Sequence, residues 1–143
     1  IMTSNFTNKT CSIMQPFFLP WGGYFNLISK SDMFVFLDDA QFQKGSWHNR
    51  NKVIINSSPA WLTAQIKRSS LQTKINELEL NLSQVWQKKM IKTIYQNYAK
   101  SEYFKDIKFI IEIISKKYIY LSDLNITLIT EISQKLELNK KFY

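Results

Sequence analysis

Residues 11–39 read CSIMQPFFLPWGGYFNLISKSDMFVFLDD, and this stretch decides the fold. Residues 11–15 are a short apolar run stopped by Pro16, which reads as a buried first strand. Pro20, Gly22 and Gly23 punctuate the loop that follows, and residues 21–29 read as a helix. Residues 33–37 (MFVFL) are a second apolar run, ended by Asp38 and Asp39, and read as a second buried strand. Strand, loop, helix and strand in this order make a βαβ unit. Its helix carries the chain back to the same end of the sheet, so the strands are parallel.

Outward from this unit, residues 52–56 and 61–66 flank Ser57, Ser58, Pro59 and Ala60, a pattern that predicts an antiparallel hairpin. Residues 77–80 form a candidate short strand. From Ser83, placed as an N-cap, the period becomes helical. Trp86, Met90, Ile94 and Tyr98 recur every four residues, with Ile91 and Tyr95 beside them. Phe104, Ile107, Ile111 and Ile114 mark a second helix. Ser122 or Asp123 is placed to cap a third, with Leu124, Leu128, Ile132 and Leu136 on one face. Such stripes are core seams rather than cofactor boxes. Every glycine (Gly22, Gly23, Gly45) and every proline (Pro16, Pro20, Pro59) lies before these helices. The expected fold is α/β: a small, mainly parallel sheet with a βαβ start, a β-hairpin and a helical C-terminal half. Residues 1–143 are expected to form one domain, with 1–10 a flexible N-terminus.

The composition excludes several classes. No apolar run approaches the ~18 residues that span a bilayer, so no membrane insertion is expected. Residues 1–10 lack the apolar core of a secretory leader. Ile1 stands before Met2, as in a translated fragment. Cys11 is the only cysteine and His48 the only histidine, which excludes an intrachain disulfide and a structural zinc site of the Cys/His type. A single cysteine fits a reducing compartment, and the expected location is cytoplasmic. Several Asn-x-Ser/Thr sequons, such as the one at Asn125, are what so Asn-rich a chain contains by chance. The net charge of +8 comes almost wholly from lysines scattered over helix faces. It reads as a solvated surface shaped by compositional bias rather than a nucleic-acid site. Arginine is the informative exception: Arg50 and Arg68 are the only two. A guanidinium grips carboxylate or phosphate with two parallel bonds that lysine cannot copy.

In open α/β sheets, ligands bind beyond the carboxyl ends of parallel strands. Two sequence loops fall there. The first supplies Gln15, Pro16, Trp21, Gly22, Gly23 and Tyr24, whose glycines allow backbone amides at a helix start to approach an anion. It is neither a Walker loop nor a GxGxxG fingerprint. The second supplies Asp38 and Asp39, candidate catalytic carboxylates that could take a proton, hold a divalent ion or pair with Arg50. It continues through Gln41 to Trp47, Asn49 and Arg50, an aromatic platform with amides and a guanidinium. This mixture suits an anionic small molecule with ring faces, such as a nucleotide-linked sugar. His48 has an unperturbed pKa near ~6.5, but a lone histidine without a fixed partner is more often structural.

The segments MQPFFLPWGGYF, SDMFVFLDDAQF, SWHNRN and PAWLT resemble the WbqC-like family in order and spacing, over residues 12–104, with weaker helical similarity beyond. Family members are longer than this chain, so the resemblance implies a domain that continues past Tyr143. It also implies a role in biosynthesis of bacterial surface polysaccharide such as O-antigen: modification of an amino sugar by transfer of a glycyl or other acyl group to its amine. It carries no role onto His48 and names no cofactor. A fainter, fold-level resemblance is to the nucleotidyltransferase-type α/β proteins such as pantothenate synthetase. There a His-x-Gly-His motif opens the first helix, where this chain has Trp21-Gly22-Gly23-Tyr24 and neither histidine. The expected function is a transferase acting on a nucleotide-linked amino sugar. The alternatives are a non-catalytic partner subunit of a polysaccharide-assembly complex and a nucleic-acid binder.

Overall fold

The computed structural model describes residues 9–70 and 72–143. The expected flexibility of residues 1–8 lies outside these. Thr10 is tied down: its backbone N–H donates to Asp32 Oδ2 at 2.7 Å, and its hydroxyl donates to the same oxygen. In chain order the elements are β1 (Cys11–Met14), α1 (Gly22–Ser29), β2 (Met33–Phe36), β3 (Arg50–Ile55) and β4 (Ser58–Thr63). Then come α2 (Val85–Tyr98), α3 (Lys108–Ser115), α4 (Leu121–Lys135) and β5 (Lys141–Phe142), with 3₁₀ turns at Ile75–Glu77 and Phe104–Ile107.

β1 and β2 pair in parallel, with Ser12 opposite Phe34 and Met14 opposite Phe36, and α1 makes the crossover. The βαβ reading holds. β5 adds a third parallel strand on the other side of β2. β2 is therefore the middle strand and β1 an edge. This corrects the buried first strand: Ser12 and Met14 are half-covered while Ile13 is 58% exposed. An unbroken apolar run cannot distinguish a strand covered on both faces from one covered on one. The covered face holds Phe34 against Tyr24, Phe25 and Ile28 of α1 and Ile129 of α4.

The hairpin is present as an antiparallel pair, but its turn is Asn56-Ser57, not residues 57–60. Both turn residues have positive φ (50° and 61°), the hairpin geometry that matches strand twist. Ser58 and Pro59 are inside β4. Ile55 and Ser58 flank the two-residue loop, so the next pair, Ile54–Pro59, is the one whose N–H groups point away from the partner strand. Pro59 thus loses no ladder bond, and the outward N–H of Ile54 donates to Tyr98 Oη on α2 at 2.9 Å.

Other boundaries move for similar reasons. Residues 77–80 form no strand; a 3₁₀ turn precedes isolated bridges from Glu79 to Tyr120 and from Leu80 to Ile66. Gln84, in a left-handed conformation, rather than Ser83, precedes α2. Tyr120 precedes α4, and Ser122 and Asp123 fall in its first turn, where the carboxylate favours the helix dipole. The second predicted helix opens as a 3₁₀ turn at Phe104 before α3 begins. The apolar stripe of α4 holds for Leu124 and Leu128 but fades at Ile132, and Leu136 is exposed beyond the helix end. α4 joins two cores. Leu121, Leu124 and Leu128 belong to the larger one with Trp86, Met90 and Ile114, whereas Ile129 faces the sheet. Among the described residues, no helix is long and apolar enough to cross a membrane.

Candidate functional site

The parallel strands send the two candidate loops out at the same end of the sheet, and specific bonds join them. Phe18 N–H donates to the Trp47 carbonyl at 3.0 Å. Asn125, fully buried on α4, donates from Nδ2 to the Pro16 carbonyl at 3.0 Å and the His48 carbonyl at 2.8 Å. One amide therefore fixes both loops to the helical core, and its burial rules out use of the sequon. Leu19 adopts a φ of 46°, strained for a branched side chain; the Asn51 amide donates to its carbonyl and holds it there.

Beneath the loops lies His48, 2% exposed. Its Nε2 stands 2.9 Å from Gln15 Oε1, Nδ1 meets the Ser46 hydroxyl, and the ring packs against Phe17 and Phe42. Desolvation disfavours the charged ring and pushes its pKa down to about 4. The ring is neutral at pH 7. With Gln15 Oε1 as acceptor the proton sits on Nε2, and Nδ1 accepts from Ser46. Gln15, Pro16 and Tyr24, all assigned from sequence to ligand binding, face this interior. Tyr24 Oη donates to the Gln15 carbonyl at 3.0 Å, and burial raises its phenol well above the ordinary range. The space a Cβ would need at Gly23 is taken by the Trp21 indole, its Nε1 foremost. Gly23 thus lets the indole lie across the start of α1. Gly22 has open space around it.

Two concavities open outward. One, of about 430 Å³, is lined by Phe17, Trp21, Trp47 and Asn51; Trp21 is 53% and Trp47 42% exposed. The other, a cleft of about 480 Å³, lies between the 42–50 and 63–70 segments. Among the described residues its walls carry Lys44, Arg50, Lys67 and Arg68, together with Asn49 and Ser69, and no carboxylate. Trp47, Trp61 and Arg50 run in contact from one to the other. Trp47 and Trp61 rings lie 5.2 Å apart, and the Arg50 guanidinium carbon sits 4.2 Å above the Trp61 ring. This cation–π contact holds the guanidinium over the ring. Arg50 Nη2 also donates to the Gly45 carbonyl, while Nε is buried with no partner among the described residues. Gly45 has a φ of 84°, and a Cβ there would stand 3.3 Å from Arg50 Nη2.

The structure thus gathers Asn49 and Arg50 on the cleft, and Trp21 and Trp47 on the aromatic pocket. Asp38 and Asp39 line neither. Asp38, half-buried, accepts from the Asn76 backbone N–H through its carbonyl at 2.9 Å and from the Asn76 amide through Oδ1 at 3.4 Å; Asp39 is exposed. Gln41 is exposed and bridges Lys74 in a short antiparallel contact. Among the described residues no group of three or more His, Cys, Asp or Glu is placed to hold a metal ion. Sequence reasoning missed Asn125 and the cleft residues Lys44, Lys67 and Ser69. Asn125 had a signal: a polar residue between Leu121 and Ile129, four residues from each, on a helix ridge that faces the core.

Comparison with known proteins agrees with the motifs. The chain is 31% identical over 100 residues to the uncharacterized protein Rv1507c of Mycobacterium tuberculosis; the match covers 69% of this chain and 43% of that protein. The chain thus spans less than half the length of this relative. No solved structure matches it at a significant level. The profile of the WbqC-like protein family matches residues 15–143, from the first candidate loop to the last strand, and the chain belongs to that family.

Proposed function

We propose that this chain serves in the biosynthesis of bacterial surface polysaccharide as a transferase acting on a nucleotide-linked amino sugar, with an aminoacyl or other acyl group passed to the sugar amine. Membership of the WbqC-like family supports the pathway. The observation that carries the ligand class is the cleft of about 480 Å³ with four cationic side chains and a guanidinium stacked on Trp61. Such a cleft suits phosphate oxygens. The exposed rings of Trp47 and Trp21 next to it suit the flat faces of a base or sugar. In this reading Arg50 clamps an anionic oxygen, and Asn49 and Trp47 orient the ligand.

A second reading, a binding subunit without catalysis, is favoured by one observation: the cleft lining includes no carboxylate, imidazole or thiol that could act as a base. The test is a thermal-shift screen of the folded chain against nucleotides and nucleotide-linked amino sugars, with and without Mg²⁺. A ligand that binds only the folded state raises the midpoint. A rise with nucleotide-linked amino sugars, lost in Arg50→Lys, is expected. No rise with any of them, in a chain shown to be folded, would sink the proposal. Binding without any change in the mass of the sugar when acyl donors are supplied would select the binding subunit.

A further inference from the structure

The two arginines of this lysine-rich chain are 18 positions apart in sequence (50 and 68), yet both line the same cleft. They reach it from different elements: Arg50 opens β3, and Arg68 lies in the segment after β4. We propose that the cleft is a diphosphate site in which Arg50 holds one phosphoryl group and Arg68 the other. This rests on the nucleotide-sugar reading above and narrows it to ligands with two linked phosphates.

Three observations carry it. First, Arg50 is already held by Trp61 and by the Gly45 carbonyl, but its Nε is buried with no partner among the described residues. A buried donor on a cation is costly to leave unpaired, and Arg50 lines the cleft in which an oxyanion would sit. Second, Arg68 is exposed and makes no ion pair among the described residues. It is not committed elsewhere, although Glu77 and Glu79 line a shallower depression on its other side. Lys67, by contrast, is paired with Glu79. Third, the remaining wall offers donors from Lys44, Ser69, Ser70, Thr63 and the Asn49 amide, beside the apolar Phe42 and Ile66. Asn49 Nδ2 is held by the Ala64 carbonyl at 3.0 Å, so the wall between the arginines is fixed in place. Arg50 and Arg68 come from different elements, and a diphosphate offers each fork a phosphoryl group of its own, whereas a single phosphate would have to be shared between them.

The experiment is calorimetric titration of the chain with inorganic pyrophosphate, orthophosphate, UDP and UMP at constant ionic strength. The variants are Arg50→Lys, Arg68→Lys, the double variant, and Lys92→Gln on the exposed face of α2 as a charge control. Each diphosphate is expected to bind at least ~10-fold tighter than its monophosphate, and each arginine variant to remove most of that ratio while Lys92→Gln leaves it intact. Equal binding of pyrophosphate and orthophosphate overturns the proposal. So does loss in Arg50→Lys with no change in Arg68→Lys, which leaves a one-arginine nucleotide-sugar site standing. Selective pyrophosphate and UDP binding with no response to any amino-sugar nucleotide would keep the diphosphate site and reject the polysaccharide reading. Circular dichroism of each variant confirms that it is folded; should Arg50→Lys fail to fold, the Arg68→Lys arm decides, because that side chain is exposed.

Discussion

Acid should weaken this fold through His48 in particular. The ring is buried and neutral, with its pKa lowered from 6.5 to about 4. In the unfolded chain it titrates near its ordinary value of ~6.5. Between those two values the unfolded state binds a proton that the folded state refuses, so stability falls as pH falls. The contribution is fully present above pH ~6.5 and is lost progressively down to pH ~4. The full loss for a gap of this size is about 3 kcal/mol, and about 2 kcal/mol is already gone at pH 5. The assay is urea denaturation at pH 7.5 and pH 5.0 for the native chain and for His48→Gln. The variant is expected to be less stable at both pH values but to lose about 2 kcal/mol less between them. Asp32, whose carboxyl is held below its usual range by the Thr10 backbone and hydroxyl bonds, also weakens the fold in acid. It does so equally in both proteins and cancels in the difference. His48 is the only histidine, so its ring proton resonances identify themselves in an NMR titration even if the variant does not fold. Parallel pH profiles, or a ring that titrates near 6.5 in the folded protein, would refute the reasoning.

Three further outcomes are expected. Ser57→Gly relieves a positive φ of 61° in the hairpin turn and should raise stability by roughly 1 kcal/mol, read as a higher denaturation midpoint. Asn125→Ala removes the donor to two buried carbonyls and leaves a small cavity. It should cost about 3 kcal/mol in urea denaturation and loosen both loops, seen as faster amide exchange at Phe18. Gly45→Ala puts a Cβ against Arg50 at a φ of 84°. It should cost about 1–2 kcal/mol and weaken pyrophosphate binding, whereas Gly22→Ala, with open space around it, should leave binding unchanged.

The candidate site was legible in part. Arg50, Asn49, Trp47 and Trp21 could be named because their residue types are rare or chemically distinctive, and they line the two concavities. Gln15, Pro16 and Tyr24 were named from the same loop, but the Gln15 amide turns to His48, the Tyr24 hydroxyl to the Gln15 carbonyl, and Pro16 is buried with its carbonyl bonded to Asn125. Sequence places a residue in a loop; it does not say which way the loop presents it. The Asp38–Asp39 pair shows the same limit, since Asp38 is engaged by Asn76, a residue distant in the chain.

By itself the sequence determined the local period of the chain. Apolar runs bounded by proline and glycine became β1, α1 and β2, and the four-residue spacing from Trp86 became α2, because these patterns follow from backbone geometry acting over a few residues. It also determined the family, through the order of its loop motifs. The tertiary structure alone decided what required distant segments to meet. β5 is two residues long and exists only because β2 offers it an edge. The positive φ of Leu19 depends on an amide 32 positions away, and the two arginines share a cleft only once β4 has folded back on β3. Contacts of that kind depend on loop closure and on the packing of whole elements, which no local pattern encodes.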